Sequence, residues 1–146
     1  MSGDDVIVAA AREWIGTPYR HQASCRGAGT DCLGLVRGVW REVFGAEPER
    51  APAYTPDWGE VAGDERLLAA AARHLIPVGG APHRGDLLVF RMADGAVAKH
   101  LGLLTETAPG ARFVHAYSGH GVVESALTRP WARRLAGVFR FPEEML

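Results

Sequence analysis

The sequence predicts an α+β domain in which helices come first and an antiparallel β-sheet follows. Apolar residues recur at helical spacing up to residue 75, whereas from residue 85 short apolar runs alternate with turn-forming residues. Helices followed by strands are typical of the α+β class. The chain of 146 residues is 47% hydrophobic and 23% charged, which suits a single domain with one core over residues 1–146.

Composition argues against several classes of function. The net charge of −1 gives no basis for a nucleic-acid surface, and no apolar run has the length of a membrane span. Two cysteines are too few for a disulfide framework, although Cys25 and Cys32 are able to pair in principle. The acidic start of the chain lacks the features of a signal peptide, so we expect a protein that is made in the cytoplasm.

The central predicted helix begins at Cys32, which is also the first residue on the buried, apolar face of that helix. The apolar residues on this face are Leu35, Val36, Val39, Trp40 and Val43. Thr30 or Asp31 is expected to cap the first turn, and Gly45 to end the helix. A thiol in the first turn lies near the positive end of the helix dipole and near free N–H groups. Both features favour the thiolate, and the N–H groups are donors for an oxyanion.

Two further helices and two irregular segments complete the first half. Asp4–Trp14 and Gly63–Leu75 have amphipathic spacing, and Asp64 is the expected cap of the second helix. Arg20–Gly29 is polar and predicts a loop that lines a cleft or bonds locally. Gly45–Glu60 contains three prolines and two aromatic residues, which predicts a long surface excursion along a groove.

Five short strands are predicted in the second half. They are Leu87–Met92, Lys99–Thr105, Arg112–Tyr117, Val122–Ser125 and Gly137–Phe141. The turn signals between them predict an antiparallel meander.

Two histidines stand in consecutive predicted strands. His100 lies early in one strand and His115 in the next, and neighbouring antiparallel strands bring such residues side by side. If the Cys32 helix packs on this sheet, the three side chains form a thiolate–imidazole–imidazole line. Cys32 is then a nucleophile, His100 the base that takes its proton and later protonates a leaving amine, and His115 the group that orients His100. This predicts acyl-transfer chemistry with no metal and no cofactor.

Two other interpretations of these residues remain open. A free cysteine on an apolar helix face also fits a small buried hydrophobic residue. Cys25, Cys32, His100 and His115 have the ligand types of a zinc site, but the close cysteine or histidine pairs typical of such sites are missing from the sequence. Of the remaining histidines, His21 lies in the polar loop Arg20–Gly29, and His74, His83 and His120 lie at a helix end or in turns.

Five short motifs are spread over nearly the whole chain. They are Gly16-Thr17-Pro18-Tyr19, Thr30-Asp31-Cys32-Leu33-Gly34-Leu35-Val36, Gly85-Asp86-Leu87-Leu88-Val89-Phe90, His100-Leu101-Gly102-Leu103 and Phe113-Val114-His115-Ala116. In content and order they resemble the NlpC/P60 family of papain-like cell-wall cysteine peptidases. The resemblance is to the variant encoded in phage and gene-transfer-agent tail modules.

The resemblance implies a papain-like fold and hydrolysis of an amide in the peptidoglycan stem peptide, between γ-D-glutamate and diaminopimelate or lysine. By the family's pattern, Cys32 is the nucleophile, His100 the base and His115 the third polar residue. The Tyr19 hydroxyl then lies close to the oxyanion site, and Asp31 helps to bind the free amino end of the stem peptide.

The resemblance also implies partners and a location. Tail or baseplate proteins of a phage-like particle would carry the peptidase, which meets the cell wall in the periplasm when the particle docks or the cell lyses. Leu33 stands where many members have a serine of the amine-binding subsite, which bears on substrate preference. The alternatives are a structural tail or baseplate component with a vestigial catalytic fold, or another acyl-transfer enzyme, such as an amidase, on the same scaffold.

Overall fold

A computed structural model describes residues 3–49 and 65–142, in which three helices pack on one face of a six-stranded antiparallel sheet and a short fourth helix packs on the other. The elements in chain order are α1 (Gly3–Arg12), β1 (Ser24–Cys25), β2 (Gly29–Thr30), α2 (Cys32–Phe44), α3 (Arg66–His74), β3 (Ile76–Pro77), β4 (Leu87–Arg91), β5 (Ala98–Glu106), β6 (Arg112–Tyr117), β7 (Gly121–Ala126), α4 (Arg129–Arg133) and β8 (Leu135–Arg140). The predicted α+β class is confirmed. Among the described helices, none combines the length and the apolar character that a membrane crossing requires.

The order of the strands corrects part of the predicted meander. Strands β4 to β7 are neighbours in sequence order, but β8 pairs with β4, and the full order is β3-β8-β4-β5-β6-β7. The chain returns across the sheet through α4, where Trp131 packs 5.3 Å from the ring of Phe90 on β4. The last strand lies at the edge of β4 that β5 leaves free, and not beside β7. Neither α4 nor β3 was predicted from the sequence.

Helix α2 begins and ends where the sequence predicts. The Asp31 carboxylate accepts a hydrogen bond from the Gly34 N–H at 2.7 Å, and Gly45 follows the helix with a φ of 94°. Because only glycine adopts positive φ at little cost, Gly45 stops the helix. The start of α2, and with it Cys32, is therefore determined by local sequence.

The other helical boundaries differ in detail from the predictions. Helix α1 ends at Arg12 and continues as a turn instead of reaching Trp14, and the predicted loop Arg20–Gly29 contains the small β1–β2 pair. The predicted Asp64 cap and residues 50–60 of the excursion lie outside the described residues.

The first half of β5 leaves space for the start of α2. Strand β5 pairs with β4 from Ala98 to Leu103, but its register with β6 begins at Leu103. The Cys32 thiol donates a hydrogen bond to the Lys99 carbonyl oxygen at 3.8 Å. The N-terminus of α2 therefore lies over the part of β5 that precedes its pairing with β6.

Candidate active site

Two buried imidazoles meet between β5 and β6. His100 Nε2 lies 2.8 Å from His115 Nδ1, and the side chains are 7% and 1% exposed. The rings are nearly perpendicular, with centroids 5.1 Å apart. Because this hydrogen bond uses Nε2 of His100, Nδ1 is the nitrogen that remains for a proton from the thiol.

A serine on β7 extends the pair. The Oγ of Ser125 lies 2.9 Å from Nε2 of His115. Ser125 was not predicted from the sequence. Its position follows from the β6–β7 hairpin, because Val123 is opposite His115 and Ser125 lies two residues further on the same face.

Cys32 and His100 line the same cleft. Its volume is about 280 Å³. The residues around it are Tyr19, His21, Asp31, Cys32, Met92, Lys99, His100, Ala116, Tyr117 and Ser118. Cys32 is 6% exposed, and within the described part of the chain its sulfur makes no hydrogen bond to either imidazole. The structure thus brings the thiol and the His100 imidazole to one cleft without a direct bond between sulfur and nitrogen, and His115 lies buried behind His100.

Burial keeps the thiol protonated. Desolvation, and then the negative charge of Asp31, raise the pKa of Cys32 to about 12, although backbone N–H groups at Leu101 and Leu33 act in the opposite direction. The N–H groups at the start of the helix therefore act in the predicted direction, but the loss of hydration outweighs them.

Burial also keeps both imidazoles neutral. Desolvation and the neighbouring His115 lower the pKa of His100 to about 3. Desolvation and His120 lower the pKa of His115 to about 4. Near neutral pH the cleft therefore contains a thiol and two uncharged rings, and the sulfur has to lose its proton during a reaction.

The two residues predicted to contact substrate both line this cleft. Burial, followed by the electrostatic effects of Cys32 and then Asp31, raises the pKa of Tyr19 to about 12, so its hydroxyl stays a donor. The Asp31 carboxylate is 3% exposed and also accepts the Gln22 backbone N–H at 2.7 Å, besides capping α2. His21 Nδ1 lies 3.8 Å from the same carboxylate. Binding of a substrate amine by Asp31 stays a prediction.

Trp131 covers the imidazoles from α4. Its ring stacks on His100 at 5.5 Å and 30°, and meets His115 edge-on at 5.1 Å. Trp131 was not predicted from the sequence as part of the site. Thr128 followed by Pro130 at the start of α4 is the helix-start signal that was available.

The four residues of the alternative zinc site are not gathered into a ligand set. Cys25 is exposed on β1, whereas Cys32 is buried, and both are free. Among residues 3–49 and 65–142, no group of three or more His, Cys, Asp or Glu side chains is arranged to hold a metal ion.

The sequence is similar to a known protein family and to bacterial proteins that are named as endopeptidases. A model of the NlpC/P60 family matches residues 16–140. The "Probable endopeptidase NlpC homolog" of Haemophilus influenzae is 28% identical over 134 residues, which are 91% of this chain and 60% of that protein. The "Murein DD-endopeptidase MepS/Murein LD-carboxypeptidase" of Escherichia coli is 29% identical over 123 residues, 84% of this chain and 54% of that protein.

A third relative carries a different activity in its name. The "Gamma-DL-glutamyl hydrolase" of Bacillus subtilis is 26% identical over 141 residues, which are 96% of this chain and 30% of that protein. The chain therefore spans 60% or less of the length of these three relatives.

Solved structures agree with the fold. An NlpC/P60 family protein from Bacillus cereus superposes with a TM-score of 0.66 at 17% identity, covering 95% of this chain and 40% of that one. The NlpC/p60 domain of the peptidoglycan hydrolase SagA has a TM-score of 0.59 at 25% identity, with 95% and 99% of the two chains covered.

Proposed function

The chain belongs to the NlpC/P60 family, and on that premise we propose that it is a cysteine endopeptidase that hydrolyses an amide bond in the stem peptide of peptidoglycan. The observation that carries the proposal is the buried 2.8 Å hydrogen bond between His100 and His115, at a cleft that also contains Cys32. A nucleophile, a base and a group that orients the base are what acyl transfer by a thiol requires.

In the proposed reaction the Cys32 sulfur attacks the carbonyl carbon of the scissile amide while its proton moves to Nδ1 of His100. The resulting oxyanion accepts hydrogen bonds from the Cys32 backbone N–H, at the start of α2, and from the Tyr19 hydroxyl. His100 then gives its proton to the leaving amine, and a thioester remains on the sulfur. Water, deprotonated by His100, hydrolyses the thioester and releases the acid.

His115 has a positioning part in this scheme. It accepts the Nε2–H of His100, so the ring is held with Nδ1 available to the sulfur. Once His100 takes the thiol proton, the same hydrogen bond stabilises the imidazolium. This matters in a buried site, where an ion without a partner is strongly unfavourable.

For the scissile bond we propose the linkage between γ-D-glutamate and diaminopimelate or lysine. The resemblance of the sequence motifs supports this choice, as does the Bacillus subtilis relative named for γ-DL-glutamyl hydrolysis. The Escherichia coli relative is named for DD-endopeptidase and LD-carboxypeptidase activities. The chemical identity of the chain ends released by cleavage therefore distinguishes the proposed bond from the bonds that those activities cleave.

The test is digestion of purified sacculi, with mass spectrometry of the released fragments. We expect new γ-D-glutamyl carboxyl ends and matching free amines, and a loss of rate of at least about a thousandfold in Cys32→Ala. Cys25→Ala is the matched control, since Cys25 is an exposed cysteine outside the cleft. Sacculi that stay intact with the wild-type protein would favour a scaffold role, and normal digestion by Cys32→Ala would refute the assignment of the nucleophile.

We also propose that a phage-like or gene-transfer-agent tail or baseplate carries the enzyme to the periplasm. The support is the likeness of its five motifs to the tail-encoded variant of the family. Purified particles from the producing strain should contain the protein in a fixed ratio to tail proteins, measured by quantitative mass spectrometry. Its absence from particles, with the protein present in the cell lysate, would contradict carriage by a tail.

A further inference from the structure

A chain of three polar side chains crosses three neighbouring strands. His100 on β5 meets His115 on β6 at 2.8 Å, and His115 meets Ser125 on β7 at 2.9 Å. Both rings are neutral near neutral pH, so each carries a single N–H. Two hydrogen-bond directions along the chain are then possible.

Only one of the two directions leaves a base for the thiol. If His100 donates Nε2–H to His115, then His115 donates its own Nε2–H to Ser125, and Nδ1 of His100 is unprotonated. In the reverse direction Ser125 donates to His115, and His115 donates Nδ1–H to His100. The proton of His100 is then on Nδ1, which cannot accept a second proton from sulfur without one leaving.

The two directions depend differently on Ser125. When His100 donates to His115, the Nε2–H of His115 points at Ser125 and needs an acceptor, and His115 is only 1% exposed. When Ser125 donates to His115, the Nε2 of His115 is unprotonated. A buried N–H without a partner is less tolerated than a buried acceptor without one. The serine oxygen therefore matters most for the direction in which His100 is a base.

The neighbouring carboxylate is engaged elsewhere. Glu124 precedes Ser125 on β7, and successive strand residues face opposite sides of a sheet. Its carboxylate accepts hydrogen bonds from Arg12 at 3.0 Å and Thr105 at 2.6 Å. The hydroxyl of Ser125, and not this carboxylate, is the group at the end of the chain.

From this arrangement we infer that Ser125 is a positioning residue for the peptidase reaction. By accepting Nε2–H of His115, it holds both imidazoles in the tautomers that leave Nδ1 of His100 free to take the thiol proton. The inference rests on the proposed function, because the tautomer of His100 has a catalytic meaning only if the thiol is the nucleophile.

The first test reads the tautomers directly in the substrate-free protein. Long-range ¹H–¹⁵N NMR of histidine-labelled protein near neutral pH should show Nε2–H on both rings of the wild type. In Ser125→Ala, His115 should shift toward Nδ1–H. Ser125→Thr keeps a hydroxyl and should restore the wild-type pattern.

The second test measures the same variants kinetically. We expect Ser125→Ala to lower kcat about tenfold with little change in KM, as loss of an outer-shell orienting partner does, and Ser125→Thr to recover most of the rate. Ser24→Ala is the matched control for stability, because it also removes a hydrogen-bonded hydroxyl, one that donates to the Gly34 carbonyl at 2.6 Å. It should leave the tautomers of His100 and His115 unchanged.

Each result counts for or against the inference. A wild-type His115 with its proton on Nδ1, or a Ser125→Ala protein with unchanged tautomers and kcat, would overturn it. Failure of the proposed function would show in a different experiment, as wild-type protein that leaves sacculi intact. The NMR measurement needs no substrate and decides the tautomers independently of that outcome.

Discussion

At the scale of single residues, Cys32 shows how two opposing effects on one thiol are resolved. Its place at the start of α2 offers backbone N–H groups, which stabilise a thiolate, but burial and the charge of Asp31 raise its pKa to about 12. Burial lowers the pKa of His100 to about 3. The resting pair is therefore thiol and imidazole.

The pH dependence of kcat/KM should reflect this neutral pair. A base works only when unprotonated, and the pKa of His100 is lowered from 6.5. We expect activity to persist below pH 6.5 and to decline only as the pH approaches the lowered values of the two histidines. Initial rates on a soluble stem peptide would check this. Recovery of full activity in aliquots returned to neutral pH would exclude irreversible unfolding as the cause of any decline. An acid limb at or above 6.5 would contradict it.

At the scale of elements, the position of Cys32 depends on how closely α2 packs against the segment that follows α1. Gly38 on α2 lies under the ring of Trp14, and a Cβ at Gly38 would lie 2.0 Å from that ring. Trp14 is 1% exposed and donates to the Glu42 carboxylate at 3.2 Å, so it has little freedom to move. The glycine is therefore a packing residue within a helix.

Gly38→Ala should destabilise the protein although alanine is the better helix former. Helix propensity favours alanine by about 1 kcal/mol, whereas overpacking costs roughly 1–3 kcal/mol and displaces the ring or the helix. We expect a net loss in the free energy of unfolding, measured by urea denaturation. Gly79→Ala is the control, since no atom lies within 4 Å of the Cβ it would add. Equal stability of the two variants would mean that α2 adjusts without strain.

At the scale of the whole molecule, the buried histidines couple stability to pH. His100 and His115 are nearly inaccessible and neutral when folded, but in the unfolded chain they return to an ordinary pKa of 6.5. Between 6.5 and the folded values of about 3 and 4, the unfolded state binds more protons than the folded state. Acid therefore favours unfolding in this window.

The free energy of unfolding should accordingly be fully retained above pH 6.5 and fall as the pH decreases through this window. Urea midpoints at a series of pH values would measure it. His115→Gln removes one of the two groups and should flatten the dependence, whatever it does to the stability at neutral pH. A variant whose stability falls with acid as steeply as that of the wild type would show that other groups dominate.

Local patterns in the sequence determined much of this protein. The start of α2 at Cys32, its cap at Asp31 and its end at Gly45 follow from capping and glycine chemistry within a few residues. The strands that carry His100 and His115 follow from alternating apolar runs between turns. Such signals act over short distances and need no knowledge of the rest of the fold.

Only the tertiary structure decided the features that depend on distant parts of the chain. The pairing of β8 with β4 and the cover of Trp131 over His100 join segments that are remote in sequence, and the contact of Ser125 with His115 depends on the register of the β6–β7 hairpin. The pKa of Cys32 belongs with them, because it depends on how completely the folded chain excludes water from the sulfur. Pairing at a sheet edge and desolvation are properties of the assembled core, so a local sequence pattern does not determine them.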